Sequence, residues 1–326
     1  MTLGIIDVGT NSIHLLLGVL GLNGVFHVVL KKRDLARLGD GGLVRNRLTE
    51  KAMRRSLRIL RDYGELLRRC DADHVEAVAT SAVRDASNGA RFVEQARRLG
   101  VPLRVISGRE EARLIYDGVV RAHHLHGSSL IITIGGGSAQ VIHGTDRRAD
   151  YITSLPLGGA RLGQRFIRYD PSHPEEVKAL SAYVDNAWTP VARALRGRRW
   201  KQAIVSSATV YQLMVAAHRL RHPQADDKPS RLSLTQPALR RWVEWLSHST
   251  AKQRAGLDGI DPKRQDVLLP TAVALLSWME RCGVSTVAHR SGSLREGLIF
   301  DYLARRRSVP CSRPLTIKNL AKARFI

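Results

Sequence analysis

Two short stretches of this 326-residue chain hold residue types suited to gripping a row of phosphates. The first is DVGTNSIHLLL, beginning at Asp7, and the second is TIGGGSAQVIH, beginning at Thr133. Each reads as strand, glycine-bearing turn, strand, with the pattern x-x-G-x-x-S at the bend. In the first copy the bend contains Gly9, Thr10, Asn11 and Ser12; in the second it contains Gly135, Gly136, Gly137 and Ser138. A glycine turn of this kind aims backbone N–H groups at an anion. Phosphate sites usually also hold magnesium, which prefers carboxylate oxygen. Asp7 supplies a carboxylate at the start of the first bend. The corresponding place in the second copy, 126 positions later, is Thr133, and Gln140 stands where the first copy has His14. Two such hairpins facing one another would clamp a chain of phosphates.

The elements that must carry these bends alternate between strand and helix. After the first hairpin come an extended segment (VFHVVLKKRD) and a helix opened by Thr49 as N-cap, with Met53, Leu57, Leu60 and Leu67 at helical spacing. HVEAVAT is a strand. A helix follows, with Ser87 as its expected N-cap and Gly100 as its terminator. VPLRVIS is a strand and REEARLIYDGVVRAHH a helix. The second hairpin then restarts the series. AIVSSATVYQLMVAAHRL reads as a strand running into a helix, and further helices are expected over residues 234–255 and 265–282. The segment from Ser285 reads as a strand, a glycine loop and a closing helix. Layers built this way are α/β. The tail from Ser308 is basic and weakly patterned.

The bulk numbers narrow the function classes. Hydrophobic residues at 44% and charged residues at 25% describe a globular protein long enough for two domains. Cys70, Cys282 and Cys311 are far apart and form no CxxC, which argues against a disulfide framework or a zinc site and suits a reducing compartment. The sequence shows no leader peptide and no apolar run long enough to span a bilayer, so a cytoplasmic protein without a membrane partner is expected. Lys plus Arg is 52 against 29 acids, a formal net charge of +23. That field attracts polyanions, although an arginine-rich composition alone would also produce it. HHLH at 123–126 has no acid close by and reads as a solvated loop. RGRRWK (196–201), RRR (305–307) and KNLAKAR (318–324) are solvated charge that also steers polyanions. Trp200, Trp242, Trp245 and Trp278 do not interleave with the basic runs, which argues against stacking of single-stranded nucleic acid.

DVGTNSIHLLL, ATSAVRDASN, VISGREEARLIYDGV, IGGGS, SLPLGGARLGQRF and LREGLIFDYL occur here in the order of the exopolyphosphatase and guanosine pentaphosphate phosphatase family. The chain resembles that family from Leu3 to about Leu303, in its short two-domain form. The resemblance implies two similar domains of the actin, Hsp70 and sugar-kinase (ribonuclease H-like) type with an interdomain cleft: residues 1–123, with 296–326 packing back on them, and residues 124–295. It implies hydrolysis of a terminal phosphoanhydride of inorganic polyphosphate or pppGpp, with magnesium or manganese. A homodimer is the expected assembly.

By the same resemblance, Asp7 is expected near the metal, and Gly9, Thr10, Asn11 and Ser12 form the first phosphate loop. Arg84 contacts phosphate, Glu111 is the catalytic glutamate, and Gly135, Gly136, Gly137 and Ser138 form the second loop. Without the resemblance, Glu110 and Glu111 would both read as acids favouring a helix N-terminus, and Glu110 keeps that reading. Two positions depart from the family's DIGGGSTE: Thr133 replaces an aspartate and Gln140 a glutamate. SSATV at 206–210 also lacks the paired glycines many longer members carry there, and is expected to lie away from the hydrolytic residues. Asp7 and Glu111 remain, so retained hydrolysis, weakened by Thr133 and Gln140, is the first reading. A catalytically silent sensor of polyphosphate or guanosine tetra- or pentaphosphate is the second, and a nucleic-acid binder, for which no helix-turn-helix, RRM or zinc-finger signature is visible, the third.

Overall fold

A computed structural model describes residues 1–21, 25–123, 125, 127–222, 232–305 and 316–319. The chain divides into two compact units, Met1–His124 with Gly292–Ile326, and Leu125–Ser291.

In the first unit the order is β1 (Thr2–Val8), β2 (Ile13–Leu20), β3 (Val25–Asp34), α1 (Glu50–Arg69), β4 (His74–Ala79), α2 (Ser81–Arg84), α3 (Gly89–Arg98), β5 (Leu103–Val105) and α4 (Gly108–His123). In the second unit come β6 (Ser129–Ile134), β7 (Ala139–Gly144), β8 (Ala149–Leu155), α5 (Gly159–Phe166), α6 (Pro174–Leu195), β9 (Gln202–Val205), α7 (Ala208–Arg221), β10 (Ser233–Thr235), α8 (Gln236–His248), α9 (Ala251–Ala255), α10 (Leu268–Arg281) and β11 (Thr286–His289). The chain then returns to the first unit as α11 (Leu294–Arg305) and β12 (Thr316–Asn319).

The two sheets repeat one topology. The first runs β12-β3-β2-β1-β4-β5 and the second β10-β11-β9-β6-β7-β8. With the flanking strands β12 and β10 set aside, β3-β2-β1-β4-β5 matches β8-β7-β6-β9-β11 strand for strand. In both, the first three strands are antiparallel neighbours and the next two pair in parallel. The expectation of two similar α/β domains of the actin, Hsp70 and sugar-kinase type therefore holds. The reason lies in the strands: β1 and β6 sit centrally, and Leu3, Ile5, Ile6, Leu130, Ile131 and Ile132 are all fully buried. Near-continuous apolar runs are what a strand covered on both faces requires.

Most sequence-predicted elements are found, with four corrections. Asn88, not Ser87, precedes α3, and its side chain does not cap the helix. It accepts from the Leu48 N–H and donates to the Leu48 carbonyl, both at 2.9 Å. The helix expected over 234–255 is two, because Thr250 starts a new one with a reciprocal capping box to Gln253. The longest helix, α6, was not anticipated, although Pro174, Glu175 and Glu176 mark its start and Leu180, Val184, Trp188, Val191 and Leu195 line its buried face. Within the basic tail, Thr316–Asn319 pairs in parallel with β3. Thr49 does cap α1, accepting from the Ala52 N–H at 3.3 Å, and Gly100 ends α3 with φ of 81°. His124, His126, Cys311, Arg306, Arg307 and residues 320–324 lie outside the described residues.

One packing contact in the first unit bears directly on function. Helices α4 and α11 touch backbone to backbone. A Cβ at Gly297 would lie 1.9 Å from the Leu114 carbonyl oxygen, and one at Gly118 would lie 2.3 Å from that of Ser293. This close approach seats the first turn of α11, with Arg295 and Glu296, beside β1. Gly297→Ala is therefore expected to cost ~1–3 kcal/mol and to lower the thermal midpoint measured by circular dichroism; an unchanged midpoint would contradict the contact.

Candidate active site

In the first unit, β1 and β2 pair in a register that sets Asp7 opposite His14, and the bend closes where the Gly9 N–H donates to the Ser12 carbonyl at 3.0 Å. In the second, β6 and β7 set Thr133 opposite Gln140, and the Gly135 N–H donates to the Ser138 carbonyl at 2.9 Å. The hairpins are thus geometrically equivalent, as their sequences imply.

The segment that follows each hairpin's third strand holds the bend from behind. The Asn11 and Thr10 carbonyls accept from the N–H groups of Arg37 (2.8 Å) and Gly39 (3.0 Å). The Gly135 carbonyl accepts from Gly159 (2.9 Å), and that of Gly136 from Ala160 (2.9 Å) and Arg161 (3.0 Å). Arg161 also gives its Nε–H to the Gly137 carbonyl at 2.9 Å. Gly158 leaves no room for a side chain, since a Cβ there would meet Gly137 N at 2.3 Å and Gly136 O at 2.4 Å. The tetrapeptide ARLG occurs in both holding segments, at 36–39 and at 160–163. That second repeat is a signal the hairpin comparison alone missed.

With the carbonyls occupied, the N–H groups remain. Among the described residues, no acceptor takes the backbone N–H of Thr10, Asn11, Gly136, Gly137 or Ser138. Thr10, Gly137 and Ser138 are buried. Successive unpaired donors of this kind make an anion-binding concavity.

The acids differ between the units. In the first, the Thr80 N–H donates to the Val8 carbonyl at 3.1 Å, and α2 turns Arg84 toward Glu111. Arg84 Nη1 donates to Glu111 Oε2 at 3.0 Å and to the Ile106 carbonyl at 3.2 Å, while its Nε lies 3.4 Å from Asp85. Among the described residues its Nη2 has no partner. Ser107 caps α4 by accepting from the Glu110 N–H at 3.0 Å, and Glu110 pairs outward with Arg104 at 2.7 Å. Glu111 turns inward and is 8% exposed. Burial pushes its carboxyl up to about 7; Arg84 opposes that shift, and the charges of Asp7 and Asp85 add to it. Asp7 is raised to about 6, again first by burial, with Arg295 lowering and Glu296 raising it.

Arg295 and Glu296, brought from the far end of the chain by α11, therefore complete this carboxyl cluster. Arg295 Nη1 lies 2.9 Å from His14 Nδ1. Arginine can only donate, so Nδ1 accepts and the ring proton of neutral His14 sits on Nε2. Glu296 is held by the Ser293 hydroxyl.

In the second unit the equivalent places are neutral and already satisfied. Thr133 Oγ1 donates to the Ser206 carbonyl at 2.6 Å. Gln140 Nε2 donates to Ser138 Oγ at 2.9 Å and to Ser154 Oγ at 3.2 Å. Ser206 thus lies beside Thr133, and the Ser207 hydroxyl donates to the Ile134 carbonyl at 2.8 Å. The structure joins Asp7, Arg84 and Glu111 to the first bend, and Thr133 and Gln140 to the second.

The donor set in the first unit fits a hard divalent cation. The Asp7 carboxyl is desolvated and, among the described residues, accepts no hydrogen bond. Those residues contain no group of three or more His, Cys, Asp or Glu able to hold a metal by themselves. Magnesium commonly binds through one or two carboxylates and substrate phosphates instead.

A duplicated α/β unit of this topology, with an equivalent glycine bend in each copy, defines a protein of the actin-like class. A profile of the Ppx/GppA phosphatase family matches residues 20–306, and the chain belongs to that family. Among solved structures it is similar to an exopolyphosphatase from Cytophaga hutchinsonii, at 28% identity over 94% of this chain and 98% of that one, with a TM-score of 0.85. An exopolyphosphatase-like protein is 26% identical over 94% and 99%, with a TM-score of 0.81. The Ppx/GppA family member of Aquifex aeolicus shares the fold at 23% identity over 94% and 99%, with a TM-score of 0.76. No helix among the described residues is long and apolar enough to cross a membrane.

The buried carboxyls predict a stability effect with a defined pH window. A carboxyl whose folded-state pKa lies above its unfolded value carries no penalty below the unfolded pKa. The penalty grows between the two values and is constant above the folded one. For Glu111 the window is 4.5 to about 7. Glu111→Gln is therefore expected to be more stable than wild type by roughly 3 kcal/mol at pH 8 and to lose that advantage by pH 4, as read from urea midpoints. Equal stability at both pH values would contradict the burial argument.

Proposed function

We propose that this protein is a phosphoanhydride hydrolase of the exopolyphosphatase type, releasing terminal orthophosphate from inorganic polyphosphate or pppGpp. The observation that carries the reading lies in the first unit: the unaccepted N–H groups of Thr10 and Asn11 at its bend, together with the buried Glu111, held by Arg84 and pushed up to about 7 by burial; the second unit carries an equivalent bend of its own. Phosphoryl transfer asks a protein mainly for positioning and charge neutralisation. The bends supply donors to phosphate oxygens. The Nη2 of Arg84 supplies a further donor, on a guanidinium already oriented by Glu111, Asp85 and the Ile106 carbonyl. Glu111 takes a proton from the attacking water, a task suited to a base that titrates near pH 7. Asp7 is the residue that would hold magnesium or manganese. Such an ion, when bound, neutralises phosphate oxygen charge. His14 and Arg295 fix the wall beside Asp7.

Glu111→Gln is expected to reduce orthophosphate release from polyphosphate by ~10²–10⁴. In wild type, kcat/KM should rise with pH through a limb near 7, because the ionised carboxylate is the active form; an activity that survives Glu111→Gln would overturn the assignment. Comparing polyphosphate with pppGpp identifies the substrate.

A second reading has its own observation. Thr133 and Gln140 are buried and engaged in neutral hydrogen bonds, so the second loop brings no acid to the reaction. A silent sensor would bind the same chains without releasing phosphate. Thr133→Asp combined with Gln140→Glu is expected to raise turnover. It should also cost ~1–3 kcal/mol of stability, because an aspartate would face the Ser206 carbonyl where a hydroxyl now donates. A turnover that does not change would show that these positions are not the acids the reaction lacks.

A further inference from the structure

We propose that a groove between α1 and α3 holds the body of a long inorganic polyphosphate chain, apart from the residues that act on its end. The groove measures about 530 Å³ and is lined by Arg54, Arg58 and Arg61 of α1 and Arg98 of α3, over a floor of Leu57 and Leu99. The three α1 arginines stand at i, i+4 and i+7, so they share one helix face and climb about 10 Å along it. No acidic residue lines the groove. Among the described residues, Arg54 and Arg58 make no hydrogen bond or ion pair. Arg61 approaches Asp62 only at 4.0 Å, and Arg98 gives its Nε–H to Glu94 at 3.0 Å.

A solvated charged face normally interleaves signs, and like charges one turn apart destabilise a helix. Four arginines converging on one hollow, two of them unpaired, are the complement of a polyanion. The apolar floor gives the arginine stems a surface to pack on, which holds the guanidinium heads at the rim. The lining contains no aromatic ring, so nucleic-acid bases have no stacking platform there. A chain that carries charge at every unit and no bases fits better.

This inference rests on the phosphate-chain reading of the site, and its test separates the two. In Arg54→Gln/Arg58→Gln/Arg61→Gln, KM for polyphosphate hundreds of units long should rise at least ~5-fold, while kcat and KM for tripolyphosphate stay as in wild type. The slope of log affinity against log salt should fall by about 2. The triple Arg→Lys variant should keep most of that slope. Identical changes for long and short chains, or no change for either, would overturn the groove.

Binding of labelled long polyphosphate in chelator, where no turnover occurs, gives an arm independent of activity. Unaltered binding by the glutamine variant overturns the groove whatever the enzyme does. Lost binding together with no phosphate release by wild type sustains the groove and overturns the hydrolytic reading. A single-stranded oligonucleotide that competes equally, and weakens by the same factor in the variant, would reassign the groove to nucleic acid and overturn the proposal.

Discussion

A buried peptide N–H without an acceptor costs about 1–3 kcal/mol, and this fold retains several at the tips of two equivalent hairpins. Their arrangement is built rather than incidental. In each unit the bend is closed by one N–H to carbonyl bond, from Gly9 to Ser12 and from Gly135 to Ser138. Carbonyls of Thr10, Asn11, Gly135, Gly136 and Gly137 are then tied down by donors from the ARLG segments and, for Gly135, from the adjoining Gly159, all backbone N–H groups except the Arg161 side chain that holds Gly137. What is left without an acceptor is a row of donors, held by a sheet whose central strand is buried on both faces. Strand order, register, the glycines and the holding segments all serve that end.

Upon this duplicated frame the two units have diverged in charge. The first carries carboxyls deep enough for burial to raise both Asp7 and Glu111. The arginines beside them limit the penalty without cancelling it. The second carries a hydroxyl, Thr133, where the first has Asp7, and an amide, Gln140, where the first has His14, and each has a partner: Ser206 for Thr133, and Ser138 and Ser154 for Gln140. The first unit therefore holds desolvated carboxyls and the second neutral hydrogen bonds at its corresponding strand positions.

Much of this was legible in the sequence, because hairpins are local. A glycine, a serine three residues later and an apolar alternation on either side identify both bends, and the contrast between Asp7 and Thr133 is visible by superposing them. The contribution of α11 was not legible. Arg295 meets His14 across 281 positions of sequence, through a helix contact made possible by Gly118 and Gly297, and neither glycine announces its neighbour. The partner of Thr133 was not legible for a related reason: the parallel pairing of β6 with β9 sets the Ser206 carbonyl beside it, and parallel pairing leaves no short-range mark. The α1 arginines look like an ordinary solvated helix face until α3 is packed against them.

The central claim, that the bend amides bind phosphate, is tested most directly by amide chemical shifts in 15N-labelled Glu111→Gln titrated with tripolyphosphate. The account predicts saturable shifts of the Thr10, Asn11, Gly136, Gly137 and Ser138 amides. Binding that leaves those five amides unmoved while others shift would contradict it.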